Sequence, residues 1–253
     1  MSVEVTDTAA AIARVRSWER DLPEAERLFD DPYAQLFGGG EAADEVAQRL
    51  LSAPIFRCHV RLRTRFIDDA VRAALATGIT QVVNLGAGFD CRMLRLPEIA
   101  EHGSEVFEVD FATQLERKSS ILAAAGVTMP PFAHLVPADF TGDYEAGLTK
   151  DLVAVGFDPA RPVVIVLEGV LSYLDDVPCD RMLRWIADVT AVGSRLVFNY
   201  PISRFAPEDL EPRIRGAGFV WIDDASLGDV YGRYFDDEPP SGSDLYRLAV
   251  AWR

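Results

Sequence analysis

The chain has 253 residues, 49% hydrophobic and 26% charged, which is enough apolar material for one sizeable core, and a single α/β domain is the expectation at this length. Its 25 Lys+Arg against 40 Asp+Glu give a formal net charge of -15, which opposes extended contact with phosphate backbones or anionic lipid and excludes nucleic acid as an expected partner. The N-terminus, MSVEVTDTAAAIARVRSWER, has no basic start leading into an apolar core, and no stretch reaches the roughly 20 apolar residues of a membrane span, so no membrane contact and a cytoplasmic location are expected.

Residues 1 to about 78 read as a helical cap, broken at FDDPYAQLFGGG and ending in the amphipathic segment RLRTRFIDDAVRAALATG. Phe66, Ile67, Ala70, Val71 and Ala74 recur along one face of that segment and predict a helix laid on a core. Cys58, Cys91 and Cys179 lie far apart with no CxxC pair, so reduced thiols are expected, with no disulfide framework and no metal site.

From about Ile79 to Arg253, β-branched apolar runs alternate with helical patterns, the signal of a parallel sheet covered on both faces. QVVNLG (81–86) and EVFEVD (105–110) are the first two predicted strands, AHLVPAD (133–139) a weaker third, PVVIVLEG (162–169) the fourth and SRLVFNYP (194–201) the fifth. ATQLERKSSILAAAG (112–126) and PCDRMLRWIADVTAVG (178–193) have near-helical apolar spacing, and each ends at a glycine. PEDLEPRIRGAG reads as a short helix running into FVWIDD, and YRLAVAWR (246–253) as a last strand that joins by a hairpin-like return, antiparallel to its neighbour.

Gly86-Ala87-Gly88 follows the first strand, a place where a ligand can approach the backbone closely because glycine lacks a Cβ. Asp90 follows almost at once, and a carboxylate there would repel a pyrophosphate by about 1 kcal/mol or more. Cys91 also stands where a dinucleotide fold wants a third small residue, so a nucleotide-linked dehydrogenase is disfavoured. Asp110, Asp139 and Glu168 close the second, third and fourth strands, and ligands of open α/β sheets sit at those carboxyl ends. Four converging acids suit S-adenosylmethionine, which carries a ribose diol, a sulfonium and an ammonium and no phosphate, with Asp110 placed to accept both ribose hydroxyls. The competing reading for any one of these acids is a helix or turn cap.

VVNLGAGFDCRMLRL, FEVDF…ERK and VVIVLEGVLSYL, with FDDPYAQLF and RTRFIDDAV upstream, resemble the leucine carboxyl methyltransferase family, which includes bacterial O-methyltransferases of small molecules. The resemblance implies a Rossmann-like class I methyltransferase fold: a seven-stranded, mostly parallel sheet with an antiparallel last strand, plus the N-terminal helical cap. It implies Gly86, with Ala87 and Gly88 in its turn, against the methionine moiety of S-adenosylmethionine, Asp110 on the ribose, Asp139 and Phe140 beside the adenine, and Glu168 near the amino-acid end. Arg63 of RTRF resembles the family's arginine that pairs with the cofactor carboxylate, with Arg61 and Arg65 the neighbouring alternatives and Arg14 or Arg16 a second cation.

Methyl transfer from a sulfonium is an in-line displacement in which the protein aligns and desolvates the nucleophile, leaving S-adenosylhomocysteine. A carboxylate needs no base, whereas a phenol does, and the conventional bases are His59, His102 and His134, none of which ends a predicted strand except that His134 opens the third. A small-molecule carboxylate is therefore the expected acceptor, with a phenol or other hydroxyl as the alternative and a non-catalytic cofactor-binding module as the remaining one. Tyr173, Tyr200 and Arg204, just past the fourth and fifth strands, are the candidates for positioning that acceptor; the bland reading makes them rim aromatics and an exposed charge.

Overall fold

A computed structural model describes residues 3–39, 45–48 and 53–253, so the predicted cap at 1–2, 40–44 and 49–52 lies outside the described residues. Seven strands, β1 (Gln81–Leu85), β2 (Glu105–Asp110), β3 (Ala133–Pro137), β4 (Val164–Leu167), β5 (Arg195–Pro201), β6 (Trp221–Ser226) and β7 (Tyr246–Trp252), form one sheet in the order β3-β2-β1-β4-β5-β7-β6. Pairs from β3 across to β5 are parallel, and β7 runs antiparallel to both β5 and β6. The expected return of the last strand is thus observed, with β7 inserted between β5 and β6 rather than added at the edge.

Strand side chains alternate between two faces, and the sequence supplies apolar residues for both. On β1, Val82 belongs to one hydrophobic cluster while Val83 and Leu85 belong to the other. β1 and β4 are buried along their whole length, as central parallel strands covered on both sides require. The edge strands β3 and β6 keep part of their surface in water.

The helices include α1 (Val3–Ser17), α2 (Ala34–Phe37), α3 (Pro54–Leu75), α4 (Arg92–Arg95), α5 (Pro97–Glu101), α6 (Ala112–Ala124), α7 (Glu145–Ala154), α8 (Asp176–Val189), α9 (Pro207–Ala217) and α10 (Leu227–Tyr231). Among the described residues, no helix is long and apolar enough to cross a membrane. On α3, Phe66, Ile67, Val71 and Ala74 are buried and Ala70 packs beside them, so the predicted apolar face lies on the sheet. Each large aliphatic side chain so placed contributes about 1.5–3 kcal/mol. The same cluster runs from Ala10 and Ala13 of α1 through Leu62 of α3 to Val164 and Val197, so cap and sheet share one core. Cys58, Cys91 and Cys179 are all free thiols.

After β1 the chain turns at Gly86 (φ +71) and Gly88 (φ +50), both left-handed conformations that cost an ordinary residue about 1–2 kcal/mol. A Cβ at Gly86 would also lie 2.5 Å from Cγ2 of Val170. The turn therefore needs glycine there for two separate reasons, and it brings bare backbone to the carboxyl end of the sheet.

Candidate functional site

A cavity of about 710 Å³ opens at the carboxyl ends of β1, β2, β4 and β5, the position where open α/β sheets take their ligands. Its floor is the turn Gly86, Ala87 and Gly88, one wall is Asp110, Phe111 and Gln114, and Thr8, Ala9, Ile12 and Arg16 of α1 reach over it. Phe140, Glu168 and Gly169 line it as well, and Tyr173 stands at its mouth with 55% of its surface exposed.

Asp110, the last residue of β2, turns both carboxylate oxygens to backbone: Oδ2 accepts from Gly88 N and Oδ1 from Phe111 N, each at 2.7 Å. Burial pushes its carboxyl up and the two N–H groups pull it back, leaving it above its usual value. Each oxygen retains a second lone pair for a ligand hydroxyl.

Glu168, just beyond β4, is buried and doubly bound, accepting from Arg63 Nε at 2.9 Å and from Arg92 Nη1 at 2.8 Å. Burial raises this carboxyl, but the guanidiniums of Arg92, Arg63 and Arg16 outweigh it and hold it well below the usual carboxylate range. The Nη atoms of Arg63 lie beside Gly169, 3.7 and 3.9 Å from where a Cβ would sit there, and so face the cavity. Of the neighbouring alternatives, Arg61 pairs with Glu19 at 2.7 Å and Arg65 with Asp69 at 2.8 Å, which leaves Arg63 on the site. Arg16 also lines the cavity, donating to Phe89 O at 2.6 Å and to Asp31 Oδ2 at 3.1 Å.

Beneath the floor these groups belong to one buried ionic lattice. Arg92 pairs with Asp90, with Glu168 and, at 2.7 Å, with Asp68; Arg95 pairs with Asp68 at 2.6 Å; Arg16 pairs with Asp31. Cations and anions alternate, so each buried charge meets an opposite one, the condition under which such charges are tolerated in a core. Asp31, Asp68, Arg92 and Arg95 were not expected as site residues, although each sits inside a stretch that carried the family resemblance.

Three expectations need correction, those for Asp139, Tyr200 and Arg204, while Asp90 is at the site but paired. Asp90 lines the cavity, but its Oδ1 accepts from Arg92 N at 2.6 Å and its charge is spent on the Arg92 guanidinium. It thus accepts from the first residue of α4 and faces a partner cation, so its charge is not unpaired. Asp139 is exposed and is not part of the cavity lining, because its Oδ1 accepts from Thr141 N and Thr141 Oγ1, at 2.9 and 2.6 Å; its neighbours Phe140 and Thr141 line the cavity instead. Tyr200 is fully buried and donates to Asp224 at 2.9 Å. The period of two along β5 sends Tyr200 with Leu196 and Phe198 into the opposite cluster, while Asn199 and Pro201 meet the cavity. Arg204 lies over the Phe205 ring at 5.0 Å and pairs with Asp176 at 3.0 Å, away from the cavity, where Ser203 is found instead.

The cavity also holds His59, read in the sequence only as a conventional base, and Asn199, which was not expected as a site residue. His59 of α3 is only 2% exposed and stacks on Tyr246, centroids 3.9 Å apart at 11°. Asn199, whose Oδ1 accepts from Gly169 N at 2.8 Å, brings Nδ2 to 3.5 Å from His59 Nε2. Burial, and then the nearby Arg63 cation, push the imidazole well below its ordinary value against the opposing pull of Glu168, which favours the uncharged ring at neutral pH. His59 stands four residues before Arg63 on one helix, a spacing that puts both on the same face; that was the available signal.

Comparison with known proteins matches this architecture. Residues 8–187 fit the model of the family "Leucine carboxyl methyltransferase". A protein of Parafrankia sp. named "Putative S-adenosyl-L-methionine-dependent methyltransferase" is 37% identical over 202 residues, 77% of this chain and 63% of its own. A protein of Frankia alni with the same description is 33% identical over 226 residues, 88% of this chain and 78% of its own. The chain thus spans just under two thirds of the first relative's length. In fold it is similar to the crystal structure of "a putative methyltransferase" from Thermobifida fusca, with a TM-score of 0.61 at 22% identity over 91% of this chain and 97% of that one. The chain belongs to the leucine carboxyl methyltransferase family.

Proposed function

We propose that the protein is an S-adenosylmethionine-dependent O-methyltransferase that esterifies the carboxylate of a small, largely apolar molecule. The groups around the cavity suit that cofactor. Asp110 has lone pairs for the ribose hydroxyls, Phe111 and Phe140 offer apolar surface for the adenine, and the Gly86–Gly88 turn leaves room at the backbone. Arg63 presents its Nη atoms to the cofactor carboxylate while Glu168 fixes its Nε, and Glu168 lies at hand for the ammonium. When bound, the cofactor supplies an activated methyl carbon, and the chain's own residues have to hold the acceptor in line and keep water out.

One observation carries the carboxylate reading. Among the described residues that line the cavity, His59 is the one histidine, and burial with Arg63 beside it favours the uncharged ring and makes it a weak base. A carboxylate arrives already deprotonated and asks for no proton transfer, whereas a phenol needs a base matched more closely to its own pKa. Phe56, Pro201, Leu174 and Tyr246 also line the cavity and suit a hydrocarbon body.

The test is incubation with S-adenosylmethionine and a panel of small carboxylic acids and phenols, with methyl esters and methyl ethers identified by mass spectrometry. Esters are expected. Ethers without esters would replace the carboxylate by a hydroxyl, and no cofactor binding at all would remove the enzymatic reading.

A further inference from the structure

We infer that His59 and Asn199 together bind the methyl acceptor through an oxygen atom that accepts their N–H groups. This deepens the carboxylate reading of the same cavity and rests on it.

The starting point is a buried donor with no protein acceptor. An uncharged imidazole carries one N–H and one lone pair. Among the described residues His59 Nδ1 has no hydrogen-bond partner, so with the proton on Nδ1 that donor is unsatisfied. With the proton on Nε2, the N–H faces the Asn199 amide, and there it meets another donor. The orientation of that amide is fixed, because its Oδ1 already accepts from Gly169 N at 2.8 Å and the NH2 group is what approaches His59. Both tautomers therefore leave an N–H without an acceptor in a ring that is 2% exposed, an arrangement native interiors rarely keep without a purpose.

The surroundings hold the ring for such a contact. Tyr246 covers one face, Phe56 meets the imidazole edge-on with centroids 6.0 Å apart, and all four side chains line the cavity. The 3.5 Å between Asn199 Nδ2 and His59 Nε2 is at the outer limit of a hydrogen bond, so an acceptor oxygen entering there displaces little. With the proton on Nε2, a ligand oxygen with two lone pairs, such as one oxygen of a carboxylate, accepts from both side chains and leaves the second oxygen to meet the methyl group. Neither side chain takes a proton in this arrangement; the pair positions the nucleophile and rejects molecules that lack an acceptor there.

The experiment uses the full chain with the imidazoles labelled in nitrogen-15, saturated with S-adenosylhomocysteine and then titrated with octanoate or cinnamate. The His59 resonances are expected to move on adding the acid and not on adding S-adenosylhomocysteine, with His102 and His134 unmoved. His59→Phe keeps a stacking ring and removes the donor, and it is expected to weaken acid binding about tenfold to hundredfold; His59→Gln, which restores an N–H, recovers most of that loss. Affinity for S-adenosylhomocysteine serves as the control for folding and is expected to be unchanged in both. Equal acid binding by His59→Phe and the unaltered protein, or still His59 resonances, would overturn the inference. If phenols bind and acids do not, the carboxylate reading falls, and the same comparison made with 4-ethylphenol decides the His59 contact. If neither class binds, both fall.

Discussion

Arg92 donates through Nη1 to Oε2 of Glu168 at 2.8 Å, joining the helix after β1 to the end of β4 across 76 positions of sequence. The same guanidinium reaches Asp68 on the cap helix at 2.7 Å, so three segments meet at one planar cation. The site is thus braced by a set of paired, largely buried charges.

Asp68 is fully buried and faces both Arg92 and Arg95. Asp68→Ala leaves two buried guanidiniums short of a partner, and is expected to lower the unfolding free energy in urea by about 3–5 kcal/mol. A change below about 1 kcal/mol would mean that the lattice relaxes and is not a brace.

Asp110→Ala removes the group proposed for the ribose and unpairs Gly88 N and Phe111 N. Affinity for S-adenosylmethionine by calorimetry is expected to fall tenfold or more, with far-UV circular dichroism unchanged. Undiminished affinity would take Asp110 out of the cofactor site.

Gly86→Ala meets both a left-handed backbone and the Val170 side chain. Thermal unfolding is expected to show a loss of about 1–2 kcal/mol from the backbone alone, and cofactor binding is expected to weaken with it because the turn must shift. Wild-type stability in this variant would show that the turn tolerates a side chain.

His59 sets a pH dependence whose sign follows from its environment. Its folded pKa is pushed below the ordinary value, first by burial and then by Arg63, so below about pH 6.5 the unfolded chain takes up a proton that the folded chain refuses. Stability from this group is fully present above that pH and is lost as pH falls toward the folded pKa, at up to about 1.4 kcal/mol per unit. Unfolding curves between pH 7 and 5 are expected to be flatter for His59→Gln than for the unaltered chain. Parallel curves would mean that the ring takes up a proton in the folded state.

Much of the fold was legible in the sequence because parallel strands buried on both faces are written as apolar-rich runs, and 164–167 is wholly apolar while 81–85 is broken only by Gln81 and Asn84. The turn at Gly86 and the acids Asp110 and Glu168 could be placed for a similar reason, since strand ends converge by topology alone. Less legible were the consequences of pairing. Asp90 looked like a free charge because the sequence does not say that Arg92 folds back onto it. Asp139 looked like its fellow acids because a turn closed by Thr141 leaves the same one-letter trace as an acid that faces a ligand. Tyr200 was misplaced by one residue in a period of two, an error that moves a side chain to the other face of a sheet. His59 is readable in the sequence only as a conventional base, because its place in the site depends on how a helix of the cap packs against the strand ends.

The register of β7 has one more consequence. Tyr246 pairs with Pro201 at the start of that strand, which is what brings its ring under His59. Asn199, Pro201, Ser203 and Tyr246 all follow residue 187, where the match to the family ends, whereas Arg63, Gly86, Asp110 and Glu168 all precede it. The proposed acceptor contact is in this way split across that boundary: exchange of residues 188–253 between relatives would replace Asn199 and Tyr246 while leaving His59 and the groups proposed for the cofactor where they stand.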